Sequence, residues 1–269
     1  MEKNIKIFLK AIFLLLVFSG YSVAQEEVNI YERPDIYWFQ VSNEYENVSK
    51  SLYKLAKIQL DENLRDNKNS AYLEQKNNFL ALPPAIILDI DDTILNSSNF
   101  SAFLAANHQE YSDKLWKEYV DKAIGLAVPG SVDFIKYALD KKITVFLVSN
   151  RTQEDYDATL TNLKRIGVNY PNMDKQIMLI GGKENWDSNK YNRYDEIAEK
   201  YRIVLIVGDN ITDFLPSFVK GASYKEYKAI NKRYKNYFEK YWVVLPNPLY
   251  GSWQEIKDMS KNLKVADLK

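Results

Sequence analysis

The chain of 269 residues contains no cysteine and a single histidine, His108. Without cysteine there is no disulfide framework, no thiolate nucleophile and no acylated cysteine of the bacterial lipoprotein kind. One histidine makes a histidine-nucleophile phosphatase, a multi-histidine zinc site or a Ser-His-Asp triad hard to assemble. His108 itself lies in the polar run Asn107-His108-Gln109 and reads as an exposed loop residue. Nucleophile and acid must then come from carboxylates, hydroxyls or lysines. An excess of one charge is also lacking. The 36 basic side chains balance 36 acidic ones, so nothing electrostatic favours a nucleic-acid polymer or an anionic membrane as partner.

Long apolar runs are absent beyond the N-terminus. There Lys3, Lys6 and Lys10 flank and precede an apolar core at 11–18, followed by the small residues Ser22-Val23-Ala24. That order reads as an export signal over 1–24, cleaved near Ala24. The core is shorter than the roughly 20 residues of a membrane span, so no stable span is expected, with a retained anchor as the alternative. The expected product, 25–269, is periplasmic or secreted and is not a cysteine-anchored lipoprotein.

What the chain does have is three β-branched apolar runs, each ending in polar residues. They are AIILDIDDT ending at Thr93, TVFLVSNR ending at Arg151 and VLIVGDNITDF ending at Phe214. Buried parallel strands that deliver side chains to the carboxyl edge of a sheet read this way. The first run brings Asp89 and Asp91, the second Ser149, the third Asp209 and Asp213. Four carboxylates on one sheet edge repel one another unless a hard cation sits among them. Magnesium shared with a phosphate is the simplest occupant. The pattern points to phosphoryl transfer.

Each residue then has a role it can play. A carboxylate beside magnesium, Asp89, can attack phosphorus, and Asp91 is placed to protonate the departing oxygen and later to activate water. Thr93 is expected to bond backbone in the turn. Ser149 and Asn150, ahead of a helix expected from about Thr152, can bind a phosphate oxygen. Asp209 follows Gly208, where backbone approaches a ligand closely, and would complete the metal shell. Asp213 either binds a metal water, holds a phosphate-binding lysine, or serves as an acid at a helix N-terminus. Lys190, opening a helix, is the first choice for the cation that neutralises the phosphoryl group, and Lys183 the second. A calcium loop is the main rival for the aspartate cluster. It would need Gly and Glu where Ile94 and Phe100 stand, and helical rather than β-branched flanks.

Strands and helices alternate from residue 85 onward, which argues for an α/β domain with a mainly parallel sheet. Strands are expected at 85–88, 143–148, 176–180, 203–207 and 241–245. Helices are expected near 131–140, 154–166, 190–200 and 224–240, and a short one at 253–263. An extended lead-in at 25–34 precedes one long helix or a helix pair over 38–73. The segment 96–129 is a helical insert rich in aromatics, placed to cap the site as part of the same domain.

These residues together resemble the haloacid dehalogenase superfamily of phosphatases. Its first motif appears as Asp89-Ile90-Asp91-Asp92-Thr93, its second as Ser149, its third as Lys190, and its fourth as Gly208-Asp209-Asn210-x-x-Asp213. The stretches 38–57, 127–134, VSNR at 148–151, VGDNITDF at 207–214 and LPNPLYGSW at 245–253 are similar to the class C bacterial acid phosphatases, some of which act as 5′-nucleotidases. That resemblance implies a Rossmann-like α/β fold and a phosphomonoesterase acting through an aspartyl-phosphate. It implies Asp89 as nucleophile and Asp91 as general acid and base. Mg²⁺ is implied on Asp89, the carbonyl of Asp91, and Asp209, and phosphate on Ser149 and Lys190. Trp116 and Tyr250 correspond to aromatics that flank a nucleotide base, although Trp116 could equally be a packing residue. Small phosphomonoesters, nucleoside monophosphates foremost, are the implied partners. Asp92 stands where family members commonly have Glu, and the missing lipobox cysteine removes the family's membrane anchor. A phosphotransferase on the same fold and a non-catalytic surface or binding protein are the alternatives. The oligomeric state stays open, a homodimer included.

Overall fold

Pro83 and Pro84 exclude helix ahead of the first β-branched run, and the chain enters the sheet there. The computed structural model describes residues 32–66, 68–76, 79–215 and 221–266; the export signal expected over 1–24 lies outside them. The first elements are α1 (Pro34–Val41), α2 (Asn43–Arg65), β1 (Pro84–Leu88), β2 (Leu95–Asn96), α3 (Ser98–Ala106), α4 (Asp113–Asp121), β3 (Leu126–Ala127) and α5 (Ser131–Asp140). There follow β4 (Thr144–Thr152), α6 (Tyr156–Arg165), β5 (Ile177–Ile180), α7 (Tyr191–Lys200), β6 (Arg202–Gly208), α8 (Ile211–Phe214), α9 (Tyr224–Arg233), α10 (Lys235–Lys240) and β7 (Trp242–Val244).

Five strands form one parallel sheet in the order β5-β4-β1-β6-β7, with β1 at its centre. The two-residue alternation of β1 feeds two separate cores. Ile86 and Leu88 pack with Tyr53, Ala56 and Leu60 of α2 and with Phe134, Ile135 and Ala138 of α5. Ala85 and Ile87 face the other side, toward Tyr194 and Ile197 of α7, Ile230 of α9 and Trp242 of β7. Burial of each large aliphatic side chain contributes about 1.5–3 kcal/mol. With both faces covered, the strand ends at a fixed height, and the aspartates that follow Leu88 and Gly208 inherit that rigidity.

Local chemistry sets several boundaries differently from the expectation. Ser42 divides the N-terminal helical segment: its hydroxyl accepts from the amide of Tyr45 at 3.0 Å and donates to the carbonyl of Trp38 at 2.6 Å, so α1 ends and α2 begins there. Pro34 starts α1 where a lead-in was expected. Gly130, in the left-handed region at φ +91°, opens α5; a Cβ there would meet Tyr53 at 3.1 Å, so glycine lets α2 and α5 approach. The helix expected over 224–240 is interrupted at Tyr234, and 253–263 holds two single 3₁₀ turns, Ser252–Glu255 and Ser260–Asn262. The second strand overshoots most. Rather than ending at 148, β4 continues to Thr152 alongside β5.

The aromatic segment leaves after the first strand through β2, which pairs antiparallel with β3 at its return. Between them, Phe100 of α3 packs with Tyr119, Val120, Leu115 and Trp116 of α4, and this cluster rests on Ala158 of α6.

Candidate active site

Asp89 continues the sheet by one more bond, its amide donating to the carbonyl of Val207 at 3.0 Å. The chain then turns: the amides of Ile94 and Leu95 both donate to the carbonyl of Ile90 at 2.8 Å. Asp92 adopts the left-handed region at φ 53° and is buried. Its carboxylate accepts from the amide and hydroxyl of Ser97 at 2.8 and 2.6 Å, which closes the turn. Burial pushes the Asp92 carboxyl up to about 6, against the hydrogen bonds of Ser97 and of the Tyr250 phenol. Asp92 is therefore the buried strut of the loop that aims Asp89 and Asp91, a role the motif alone did not suggest.

Three carboxylates converge. One oxygen each of Asp89, Asp209 and Asp213 lies within 4.8 Å of the others. Lys190, 3% exposed, bridges two of them: its Nζ donates to Asp89 Oδ1 at 2.5 Å and to Asp213 Oδ1 at 2.7 Å. Lys190 sits immediately ahead of α7, and Tyr194 one turn on donates its phenol to the carbonyl of Asp213 at 2.8 Å, locking α7 against α8. The other expected cation is elsewhere, since Lys183 pairs with Glu196 at 2.6 Å on an exposed surface. The backbone amide of Asn210 donates to Asp213 Oδ2 at 2.9 Å, which makes Asp213 both a helix cap and the holder of Lys190. Its side chain fills the space above Gly208, where a Cβ would stand 2.3 Å from Oδ2. Glycine is needed there for Asp213 rather than for a ligand.

Asp209 is held on both oxygens. Thr93 Oγ1 donates to Oδ1 at 3.2 Å and Asn247 Nδ2 to Oδ2 at 2.8 Å. The Thr93 hydroxyl thus spans two motifs instead of bonding backbone within its own turn; its carbonyl accepts from the phenol of Tyr53 at 2.5 Å. Asn247 stands between Pro246 and Pro248 after β7, a rigid placement that composition alone does not flag as functional.

The electrostatics follow from the crowding. Burial pushes Asp89 up to about 7, opposed by Lys190 and reinforced by Asp213 and Asp91. Asp209 is raised well above the usual carboxylate range, first by burial and then by Asp213 and Asp89. Two like charges 4.8 Å apart repel by about 3–4 kcal/mol at an effective dielectric of ~20. One lysine does not balance three carboxylates. An all-oxygen cluster with a deficit of positive charge fits a hard divalent cation, so the residues present suit the metal that the motif implies.

Asp91 points elsewhere. It is gripped by Arg151, whose Nε and Nη2 donate to Oδ2 and Oδ1 at 3.0 and 2.8 Å. The carboxyl group of Asp91 is therefore not among the three that converge, and only its backbone carbonyl is available for the metal role foreseen for it. Ser149 and Asn150 lie within β4 and not at a helix start, because the strand runs on to Thr152. Ser149 is buried and its Oγ accepts from the Arg151 amide at 3.1 Å. Asn150 projects the opposite way. Its amide group donates to the carbonyl of Ser188 at 3.1 Å and accepts from Arg193 Nη2 at 2.8 Å, so it anchors the loop that carries Lys190. Arg193, fully buried, also binds the carbonyls of Ser149 at 2.5 Å and Asp187 at 2.9 Å.

Trp116 lies half-buried in the insert, edge-on to Phe100 at 5.2 Å and with the guanidinium carbon of Arg151 5.7 Å from its ring centroid. Tyr250 keeps 36% of its surface exposed while its hydroxyl turns inward to Asp92. His108 is exposed in the insert, as expected. Arg151, Asn247 and Arg193 were not among the expected functional residues. Arg151 carried a faint signal, as a cation at the end of a motif strand.

Residues 18–253 match the family model of the haloacid dehalogenase superfamily, subfamily IIIB, the acid phosphatases. Two solved structures are similar: the class C acid phosphatase from Bacillus anthracis, and the same enzyme with tungstate bound. Each is 27% identical, with a TM-score of 0.72 over 88% of this chain and 98% of that one. The parallel sheet flanked by helices is the haloacid dehalogenase fold. The chain belongs to this subfamily and is an acid phosphatase, an enzyme that hydrolyses phosphomonoesters.

Proposed function

We propose that the chain is a magnesium-dependent phosphomonoesterase that works through an aspartyl-phosphate on Asp89 and takes nucleoside monophosphates among its substrates. The observation that carries this reading is the convergence of Asp89, Asp209 and Asp213 around Lys190. Asp89 Oδ attacks the phosphorus, a P–O bond to Asp89 forms, and the ester P–O bond breaks. Asp91 gives its proton to the leaving oxygen. It then takes a proton from the water that attacks the acyl-phosphate, which returns Asp89 and releases inorganic phosphate. Lys190 neutralises charge on the transferred group, with Asp213 fixing its ammonium. Ser149 offers its hydroxyl to the same phosphate, and Asn150 acts indirectly, through the loop it anchors.

Mg²⁺ held by Asp89, the carbonyl of Asp91 and Asp209 would supply charge neutralisation and keep the Asp89 carboxylate ionised. Tungstate in the Bacillus anthracis relative, a tetrahedral oxyanion, supports a phosphate-shaped pocket in this one. Trp116 and the exposed face of Tyr250 offer flat surfaces for a base, worth about 1–3 kcal/mol of stacking each. The insert at 96–129 is read as a cap on the single catalytic domain, and 1–24 as an export signal. Phosphate release from nucleotide, sugar and aryl esters, with magnesium and with chelator, tests the whole. Asp89→Asn should abolish turnover in a folded protein. Trp116→Ala and Tyr250→Ala should raise KM for nucleotides more than for aryl phosphates; equal rises would remove base stacking.

A further inference from the structure

We propose that Arg151 is the positioning residue for proton transfer by Asp91, an inference that rests on the acid–base role assigned above. Ser149 and Arg151 share one face of β4, two residues apart, while Asn150 faces the other way. The overshoot of β4 therefore carries a guanidinium to the same edge of the sheet as Asp91. The Arg151 side chain is 2% exposed and that of Asp91 15%. Nε and Nη2 hold both carboxylate oxygens of Asp91, and Nη1 donates to the buried hydroxyl of Thr159 on α6 at 3.0 Å. The guanidinium carbon lies over the Trp116 ring, 5.7 Å from its centroid.

Each contact removes one freedom from Asp91. A bidentate fork fixes the plane of a carboxylate as well as its place. The fork is itself held, by the Thr159 hydroxyl at Nη1 and by the Trp116 ring beneath the guanidinium carbon. A proton donor that must reach the leaving oxygen loses efficiency steeply with misplacement. Arg151 touches neither metal cluster nor nucleophile among the contacts described. Its removal should spare attack by Asp89 and weaken both proton transfers of Asp91, of which only the one to the leaving oxygen enters kcat/KM.

That separation is measurable through the leaving group. A nitrophenolate departs as a stable anion with little help, whereas an alkoxide, including a nucleoside 5′-oxygen, departs only if protonated. We expect Arg151→Gln to lower kcat/KM for alkyl and nucleoside phosphates by about 30–100-fold and for nitrophenyl phosphate by less than about 3-fold. Arg151→Lys keeps the charge without the fork and should fall between. Asp91→Asn should show the same steepening, larger. If Arg151→Gln loses activity equally across the series while Asp91→Asn steepens, Arg151 is merely structural and the inference falls with the Asp91 role intact. If Asp91→Asn is itself flat across the series, the Asp91 role falls and this inference with it. Should Arg151→Gln fail to fold, Thr159→Val removes one anchor of the fork at nearly constant shape. A several-fold loss confined to alkyl esters supports positioning, and an equal or absent effect on both classes overturns it.

Discussion

Replacing Lys190 with Met isolates what a single buried cation does here. The ammonium lies 2.5 Å from Asp89 Oδ1 and 2.7 Å from Asp213 Oδ1, and it is the cation that bonds directly to two of the three converging carboxylates. Removing one partner of a buried ion pair costs about 3–5 kcal/mol, because the charge left behind is uncompensated. For a chain of this size each kcal/mol shifts Tm by about 2–4 °C, so the metal-free variant should melt about 6–20 °C lower. Lys190 also opposes the upward push on Asp89. In its absence Asp89 holds its proton to still higher pH, so the destabilisation should be smaller near pH 5 than near pH 8. Added magnesium replaces the missing positive charge and should raise Tm more in the variant than in the unmodified protein. It should not restore catalysis: with the donor to the transferred phosphoryl gone, kcat/KM for nitrophenyl phosphate should fall about 100–1,000-fold. Differential scanning fluorimetry in chelator and in magnesium, beside steady-state kinetics, reads all of these. Activity within threefold of the unmodified protein, or an unchanged Tm in chelator, would refute the electrostatic account of the cluster.

The metal-free protein should become less stable as pH rises from about 4 to about 7. Asp89 at about 7 and Asp92 at about 6 stand above the ordinary value of 3.8, so the folded chain keeps protons there that the unfolded chain has released. Magnesium should reduce the decline, since it favours the ionised form of Asp89 but leaves the share of Asp92; a rise in stability over this window in chelator would contradict the burial argument. Asn247→Ala frees one oxygen of Asp209 from its 2.8 Å bond and should raise the magnesium concentration for half-maximal activity about 10-fold or more. An unchanged activation curve would mean that Asp209 is not placed by Asn247.

Much of the frame was legible because backbone physics wrote it into short windows. The β-branched runs before Asp89 and Asp209 read as buried strands, and β1 and β6 lie side by side in the sheet. The meeting of Asp89 and Asp209 followed from strand ends sharing one edge, whereas Lys190 comes in from the start of α7, beyond the loop after β5. Contacts made by long side chains were not legible in the same way. Arg151 and Arg193 reach Asp91, Ser149 and Asn150 across different elements, and no local pattern reports where a flexible arginine ends. The end of β4 is hidden in the sequence because Ser149-Asn150-Arg151 is polar and resembles a loop. Its polar groups are instead taken up by the site and by Arg193, which allows the strand to go on. Asn247 was hidden for a related reason: a Pro-Asn-Pro turn announces rigidity, not what the rigidity serves.

Crystals of the protein soaked in manganese, a magnesium substitute with an anomalous signal, would place the cation directly. One strong peak at bonding distance, about 2.1–2.2 Å, from both Asp89 and Asp209 is the expected result. A peak that touches only one of them, or none while hydrolysis still depends on the divalent ion, would contradict it.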